Sequence, residues 1–586
     1  MWKIKSTQGV VFVSIKNKMI KPLELAVVIS GLSLSSAMSH GVEFFMDVEG
    51  SFSSQISVGS SWRMSEPDQA LLAPGNNNDG NANFEKGDAF SQIIKGSHDL
   101  HLRSGDHGVF IRGKYWHDFA LEDTKVAHGH GSNGFADDEK LNDKDFNELS
   151  KFSGAALLDA YVYGMYEIGY TPIDVRLGRQ VVSWGESTFI LGGVNSINPV
   201  DVNAFRRPGA EIKEGLLPVN MAYVNIGLTE FLSMEAFYQL EFQETVIPGC
   251  GTYFAFNDYA PEGCNQVVLS GPGLEALGDA ERVTNGYSLN RAEDGNRLAK
   301  DEGQFGIAFR YMSEALGDTE FGFYAMNIHS RLPVVSGIKS QNWQLGRAQN
   351  KDDTFYYVSY PEDMQLAGLS FATNVGSVAV SGEFSHKKDV PLQINATQLL
   401  TAGLTGLSTS PELAADVAAT ANGADFDGYR LFDVSQAQFT VLQFFDRFMG
   451  ASRYTLIAEA GYTFVHDLDE GDDVIKFSRA GIFDGADEGF VTESSWGYRT
   501  RLVGEYNNVF SGITLKPTLA FTHDVEGFAP QPGGAFKEGE QSVGLTLQAD
   551  YQSMYSASIS YVDYMGGDYS LISDRDYASV SLSVQF

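Results

Sequence analysis

Arg206, Arg207, Glu211, Lys213 and Glu214 crowd into one short stretch, RRPGAEIKEG. It belongs to a longer segment from Trp184 to Val219, WGESTFILGGVNSINPVDVNAFRRPGAEIKEGLLPV, which also carries Phe189, Ile190 and Leu191. Cations facing carboxylates across a water-filled passage set up a transverse field, and rings of charge decide what a pore admits. Guanidinium groups match a carboxylate with paired donors, so an anionic head group on an apolar tail is the cargo such a segment suits. Apolar and charged residues mixed in this way leave two dispositions open. The segment folds into the interior of its scaffold, or it packs over the mouth, held by its own Arg–Glu pairs.

Other reactive side chains are grouped more loosely. Six of the eleven histidines (His98, His101, His107, His117, His128 and His130) fall between residues 98 and 130, with Asp99 and Asp118 beside them. A surface metal site or an Asp–His hydrolase would draw on such residues. However, His98 and His101 are an odd number of residues apart, so on a strand they face opposite sides. No Ser, His and Asp share a recognisable nucleophilic context. We therefore assign no catalytic residue, no metal ligand and no cofactor. The acidic run HDLDEGDD at 466–473 offers carboxylates of the kind calcium takes, although charge runs usually face water. Cys250 and Cys264, within PGCGTYFAFNDYAPEGC, are the two cysteines. In an exported chain they read as one disulfide, worth about 3 kcal/mol for a loop of this size. A metal site at this pair is the alternative, with no histidine nearby to complete it.

The elements that must hold these residues are strands. In the tail, Ala578, Val580, Leu582, Val584 and Phe586 alternate with Ser579, Ser581, Ser583 and Gln585, the period of a strand with one apolar face. The same alternation predicts strands near 44–64, 90–103, 108–119, 155–170, 173–183, 219–228, 232–243, 304–313, 319–328, 364–374, 377–387, 436–446, 453–466, 497–507, 511–523, 541–552, 554–565 and 576–586. Connections such as SGDH and TP are short, and long ones fall between them, 184–218 being the third. Short periplasmic turns alternating with long outer loops are the rhythm of an outer-membrane barrel, whereas a soluble sandwich has no cause to keep it. The expected fold is all-β: a transmembrane antiparallel barrel of about 16–18 strands over residues 40–586, its third outer loop a candidate for infolding. The last strand must pair with the first, and its terminal aromatic, Phe586, fits the signal that barrel assembly machinery reads. One helix is expected in the sixth long loop, with Ser410 as N-cap, Pro411 at the first helical position and Asn422-Gly423 as the stop. Leu399, Leu400, Leu404 and Leu407 lie ahead of it, either as a landing patch for an apolar ligand or packed on neighbouring loops.

Residues 1–39 read as a secretory signal peptide: Lys16, Lys18 and Lys21 precede an apolar run from Leu23 to Ala37. A start at Met19 would give the basic region its usual length. Beyond residue 40 no further apolar run is long enough for a spanning helix. The net charge of −34 excludes nucleic acid as a partner, because phosphate binding needs clustered Lys and Arg.

Several motifs occur in order along the chain: LGRQVVSWGES, NSINPVD, RRPGAEIKEGLLPV, the cysteine segment, NIHSRLP, YPEDMQLAGLSF, DVPLQIN and a late DRD. Together they resemble the Gram-negative proteins grouped as domain-of-unknown-function family 1302. The resemblance implies an outer-membrane barrel. It also implies genes often found beside a second uncharacterised outer-membrane-linked family and an inner-membrane exporter of the resistance–nodulation–division type, neighbours that point to hydrophobic or lipid-like cargo. It carries over no catalytic residue.

Three functions follow as expectations. The first is an outer-membrane channel or transporter for small hydrophobic or amphipathic compounds or lipids. The second is a general porin for polar solutes. The third is a non-transporting, adhesin-like surface barrel. In each case the surroundings are outer-membrane lipid and lipopolysaccharide.

Overall fold

The structure is a computed structural model. It describes residues 48–131, 133–135, 137–271 and 273–586, and the backbone of three short strand segments before residue 48. The expected signal peptide at 1–39, with Met19 as its other start, otherwise lies outside the described residues.

Eighteen strands among the described residues close into one antiparallel barrel. In chain order they are β1 Val48–Arg63, β2 Ala89–Ser104, β3 His107–Asp118, β4 Ser153–Ile168, β5 Thr171–Gln180, β6 Val219–Gly227, β7 Leu232–Gln239, β8 Phe305–Ser313 and β9 Thr319–Ile328. They continue as β10 Met364–Val375, β11 Val378–Gln393, β12 Tyr429–Asp446, β13 Arg453–Val465, β14 Ser494–Phe510, β15 Ile513–Glu526, β16 Gln541–Tyr551, β17 Tyr555–Met565 and β18 Tyr577–Gln585. Each expected strand is present. β11 and β12 run further toward the long loops than alternation predicts. Their ladder shifts register between Lys387 and Val390 and resumes to Gln393↔Tyr429. Asp389 has a φ of 59°, so a bulge breaks the period of two there and hides the strand's continuation.

Closure is made by β18 on β1, in register from Tyr577↔Arg63 to Gln585↔Gln55. Phe586 extends the ladder: its N–H donates to Ser54 O at 2.9 Å and its carbonyl accepts from Ser54 N–H at 2.7 Å. Small hydroxyls line the inner face of this seam, with Ser558–Ser581 at 2.7 Å, Ser560–Ser579 at 2.6 Å and Ser57–Ser583 at 2.9 Å. The opposite face carries Leu545, Leu547, Ile559, Val580 and Leu582, all exposed. Similar rows recur around the wall at Leu157, Val162, Phe323, Leu369, Phe384 and Phe439. A continuous exposed apolar girdle of this kind is stable only against lipid, and closure satisfies every wall strand's backbone.

The two rims differ. One carries tight turns together with residue 48 and the C-terminal end of β18. The other carries the long connections, which fold on one another into a cap. Segments of the fourth, fifth and sixth long loops form a five-stranded sheet: Gln266–Val268, Ser288–Arg297, Phe355–Ser359, Val334–Ile338 and Asp425–Phe426. Arg63, fully buried at the end of β1, donates to Asp574 Oδ2 at 2.9 Å and to the carbonyls of Asn81 and Phe84, tying the first and last long loops together. Among the described residues no helix is long and apolar enough to cross a membrane.

Candidate functional site

The loop between β5 and β6, residues 181–218, leaves the long-loop rim and crosses the lumen. Its first arm lies on the inner wall of β6–β10. Val182, Trp184, Val194 and Ile197 pack with Met221, Tyr223, Phe237, Ala308, Tyr324, Met326 and Leu366 in the largest apolar cluster, so the core of this protein is inside the barrel. Trp184 Nε1–H donates to Glu235 Oε2 at 2.8 Å, and Glu235 is held in turn by Arg310 Nε at 2.9 Å. The arm then reaches two glutamates further round the same wall. Glu383 on β11 accepts the N–H groups of Glu186 (2.6 Å), Ser187 (3.2 Å) and Val194 (2.9 Å). Glu459 on β13 accepts those of Thr188 (2.8 Å), Phe189 (2.6 Å) and Ile190 (2.8 Å). A carboxylate offers about four lone-pair sites, so each glutamate replaces water for a whole turn of backbone. Gly193 lies so close to Glu383 that a Cβ would collide with its carboxylate.

The second arm is held by side chains. Asp201, fully buried, caps the short helix Val202–Arg206 and takes a 2.8 Å bond from Lys114 Nζ on β3. Glu214 takes a 2.5 Å bond from Lys95 Nζ on β2, which also donates to Gly209 O at 2.9 Å. The bend between them rests on the closing seam. A Cβ on Gly59 of β1 would lie 2.5 Å from Pro208, and one on Gly209 would lie 2.9 Å from Ser581 Oγ. Glu211 accepts from Gln55, and Lys213 Nζ lies 3.0 Å from Glu211.

The structure thus brings all five predicted residues into the lumen but pairs them differently. Arg206 and Arg207, both half-buried, do not bond to Glu211 or Glu214 as a facing charge pair. Arg206 donates to Tyr564 OH at 2.9 Å and lies 4.5 Å over the Phe254 ring. Arg207 lies 4.6 Å over Trp116 and donates to Leu149 O at 3.3 Å. A planar, weakly hydrated guanidinium stacks well on rings, while the compact lysine heads of the wall take the carboxylates. Sequence reasoning missed Lys95, Lys114, Glu235, Glu383 and Glu459. The available signal was a lone charge in mid-strand among small and apolar residues, as in LIAEAGY and SMEAFY.

The remaining candidates scatter. Cys250 and Cys264 are bonded, buried in the fourth long loop. His98 stacks on Phe52 on the outer face, and His101 bonds Tyr163 OH at 2.8 Å inside, on opposite sides as expected. His130 is buried beside Cys250 Sγ at 3.7 Å, and burial pulls its pKa down to about 4. Asp467, Asp469, Glu470, Asp472 and Asp473 are exposed to solvent. Ser410 caps the helix Pro411–Ala419, which ends before the expected Asn422-Gly423 stop. A second helix, Ala396–Thr405, precedes it. Leu399 packs into one cluster of neighbouring loops and Leu400 and Leu404 pack against another, whereas Leu407 is exposed.

The family model described as "Protein of unknown function (DUF1302)" matches residues 22–586. None of the curated proteins matches the sequence. Among solved structures, Pseudomonas aeruginosa OccK2 (OpdF) in complex with glucuronate is 10% identical, with a TM-score of 0.39 and coverage of 92% of this chain and 97% of that one. Acinetobacter baumannii OccAB1 is 12% identical, with a TM-score of 0.40 and coverage of 94% and 99%. Pseudomonas aeruginosa OpdK with vanillate is 9% identical, with a TM-score of 0.37 and coverage of 91% and 98%. Likenesses this faint say nothing of cargo.

Proposed function

The chain belongs to the family of proteins of unknown function DUF1302, and we propose that this member is an outer-membrane channel constricted by the loop 181–218 and suited to small amphipathic compounds. The observation that carries this reading is the loop's crossing of the lumen with apolar side chains left uncovered. Leu191 is 67% exposed on the first arm and Phe205 40% on the second, and Ile212, 73% exposed, sits between Glu211 and Lys213. An apolar patch beside fixed charge suits a molecule with a greasy body and a polar head. Arg206 and Arg207 stand behind this surface as a positive background that favours an anionic head. The girdle faces lipid and lipopolysaccharide, and the strand ending in Phe586 is the one assembly machinery would engage. The folded cap favours the rival reading, a surface barrel that transports nothing.

Purified protein in planar bilayers and liposomes separates these. Discrete conductance, with faster uptake of short-chain fatty carboxylates than of sugars of equal size, is expected. Equal rates would return the general porin. Absence of both conductance and uptake would leave the surface barrel.

A further inference from the structure

A second cluster of charge lies outside the crossing loop, where three long loops meet. Asp79 comes from the first, His128 from the second, and Asp258 and Asp279 from the fourth. His128 Nε2 is 3.1 Å from Asp79 Oδ1 and 3.6 Å from Asp279 Oδ2, and the three ligand atoms all lie within 4.8 Å of one another. Those separations are the ones spanned by ligands placed about 2.0–2.6 Å from a common ion. Asp79, Asp279 and the adjoining Asn78 are almost wholly buried, and Asp258 is 9% exposed.

The bonds the cluster makes do not satisfy it. Asn78 Nδ2 donates to Asp279 Oδ2 at 3.1 Å, and Asp79 N–H donates to Asp258 Oδ2 at 3.3 Å. Asn78 Oδ1 and Asp258 Oδ1 are buried with no hydrogen-bond partner. Three carboxyls sharing one imidazole leave charge or protons unbalanced: burial and mutual repulsion push Asp79 and Asp258 well above the usual carboxylate range. Oxygen atoms in this position are costly unless a cation accepts them.

We propose that Asp79, His128 and Asp279 bind a divalent cation, with Asp258 and the Asn78 amide alongside, and that the ion clamps the first, second and fourth long loops into one cap. Carboxylate and amide oxygens suit a hard ion, and the single imidazole extends the class to manganese and zinc. Half-exposed His128 is the side from which the ion enters. Asp258 lies inside the Cys250–Cys264 loop, which also carries Phe254, the ring beneath Arg206. The clamp thereby fixes a surface against which the crossing loop rests.

The test uses full-length protein in detergent, stripped with EDTA and titrated separately with Ca²⁺, Mn²⁺ and Zn²⁺ by calorimetry, with bound metal counted by mass spectrometry. One equivalent of at least one ion, and increased resistance of the cap to trypsin on its addition, are expected. The double variant Asp258→Asn/Asp279→Asn should lose about tenfold or more in affinity while heat-modifiable migration shows the barrel intact. No stoichiometric binding by the wild-type protein would overturn the site, whatever the variant does. Equal binding by a folded variant would overturn it as well.

Discussion

The two arms of the crossing loop are held by opposite chemistry. The first arm is gripped through its backbone by wall carboxylates, Glu383 and Glu459. The second is gripped through its own carboxylates, Asp201 and Glu214, by wall lysines. A backbone grip places no demand on side-chain type, since any residue except proline supplies an N–H, and here the side chains of Val182, Trp184, Val194 and Ile197 are fixed separately by packing on the wall. A side-chain grip fixes sequence on both partners and position within about an ångström. In the first arm only the side chains outside the apolar cluster, such as exposed Leu191, are therefore free to line the passage, and the second arm is the post beside it.

The largest effect should come from removing the backbone grip. Glu383→Ala with Glu459→Ala deletes the acceptors of six loop N–H groups, and charge-assisted bonds of about 1.5–3 kcal/mol each sum to a local loss on the order of 10 kcal/mol. Single-channel conductance and current noise should rise, while heat-modifiable migration of the barrel stays unchanged. Unaltered conductance would mean that apolar packing alone holds the first arm.

Breaking the side-chain grip comes next. Lys114→Met leaves Asp201 buried without its cation, a cost of about 3–5 kcal/mol. Limited proteolysis should then cut between residues 199 and 217. Adding Asp201→Asn should restore much of the resistance, because no charge is left stranded. Equal sensitivity of the single and double variants would show that the two residues are not coupled.

The smallest effect sharpens the role of the arginines. Arg206→Lys with Arg207→Lys keeps the charge and loses the ring stacking, about 1 kcal/mol at each position. Reversal potential in a salt gradient should stay at the wild-type value. A shift would mean that the guanidinium forks touch the permeant ion directly, and would restore a charged eyelet.

The wall was legible because a period of two repeats through eighteen strands, and the bulge at Asp389 is where its interruption hid a strand's continuation. Infolding was half legible, since Phe189 and Ile190 share one segment with five charges, a mixture that left infolding and packing over the mouth both open. The pairing was not, because spacing along one segment says nothing about partners on other strands. Arg206 and Glu211 are close in sequence, yet Tyr564 and Gln55 are what they meet. The cap sheet was illegible for the same reason, its strands coming from three loops with no shared local signal.

The seam where β18 meets β1 also sets an order of events. Ser57 and Ser583 bond across it although they are 526 residues apart, so the entropy of bringing the ends together is near its maximum, about 5 kcal/mol beyond the constant term. Such a contact forms last and slowly. Until it forms, two bare strand edges stand open, and lipid cannot satisfy them. Pro208 and Gly209 lie directly against those same two strands. The bend of the crossing loop packs on the seam itself, so closing the seam and seating the loop are coupled. A chain delayed at this step would present an open ribbon, its passage not yet constricted and its lining accessible from the side.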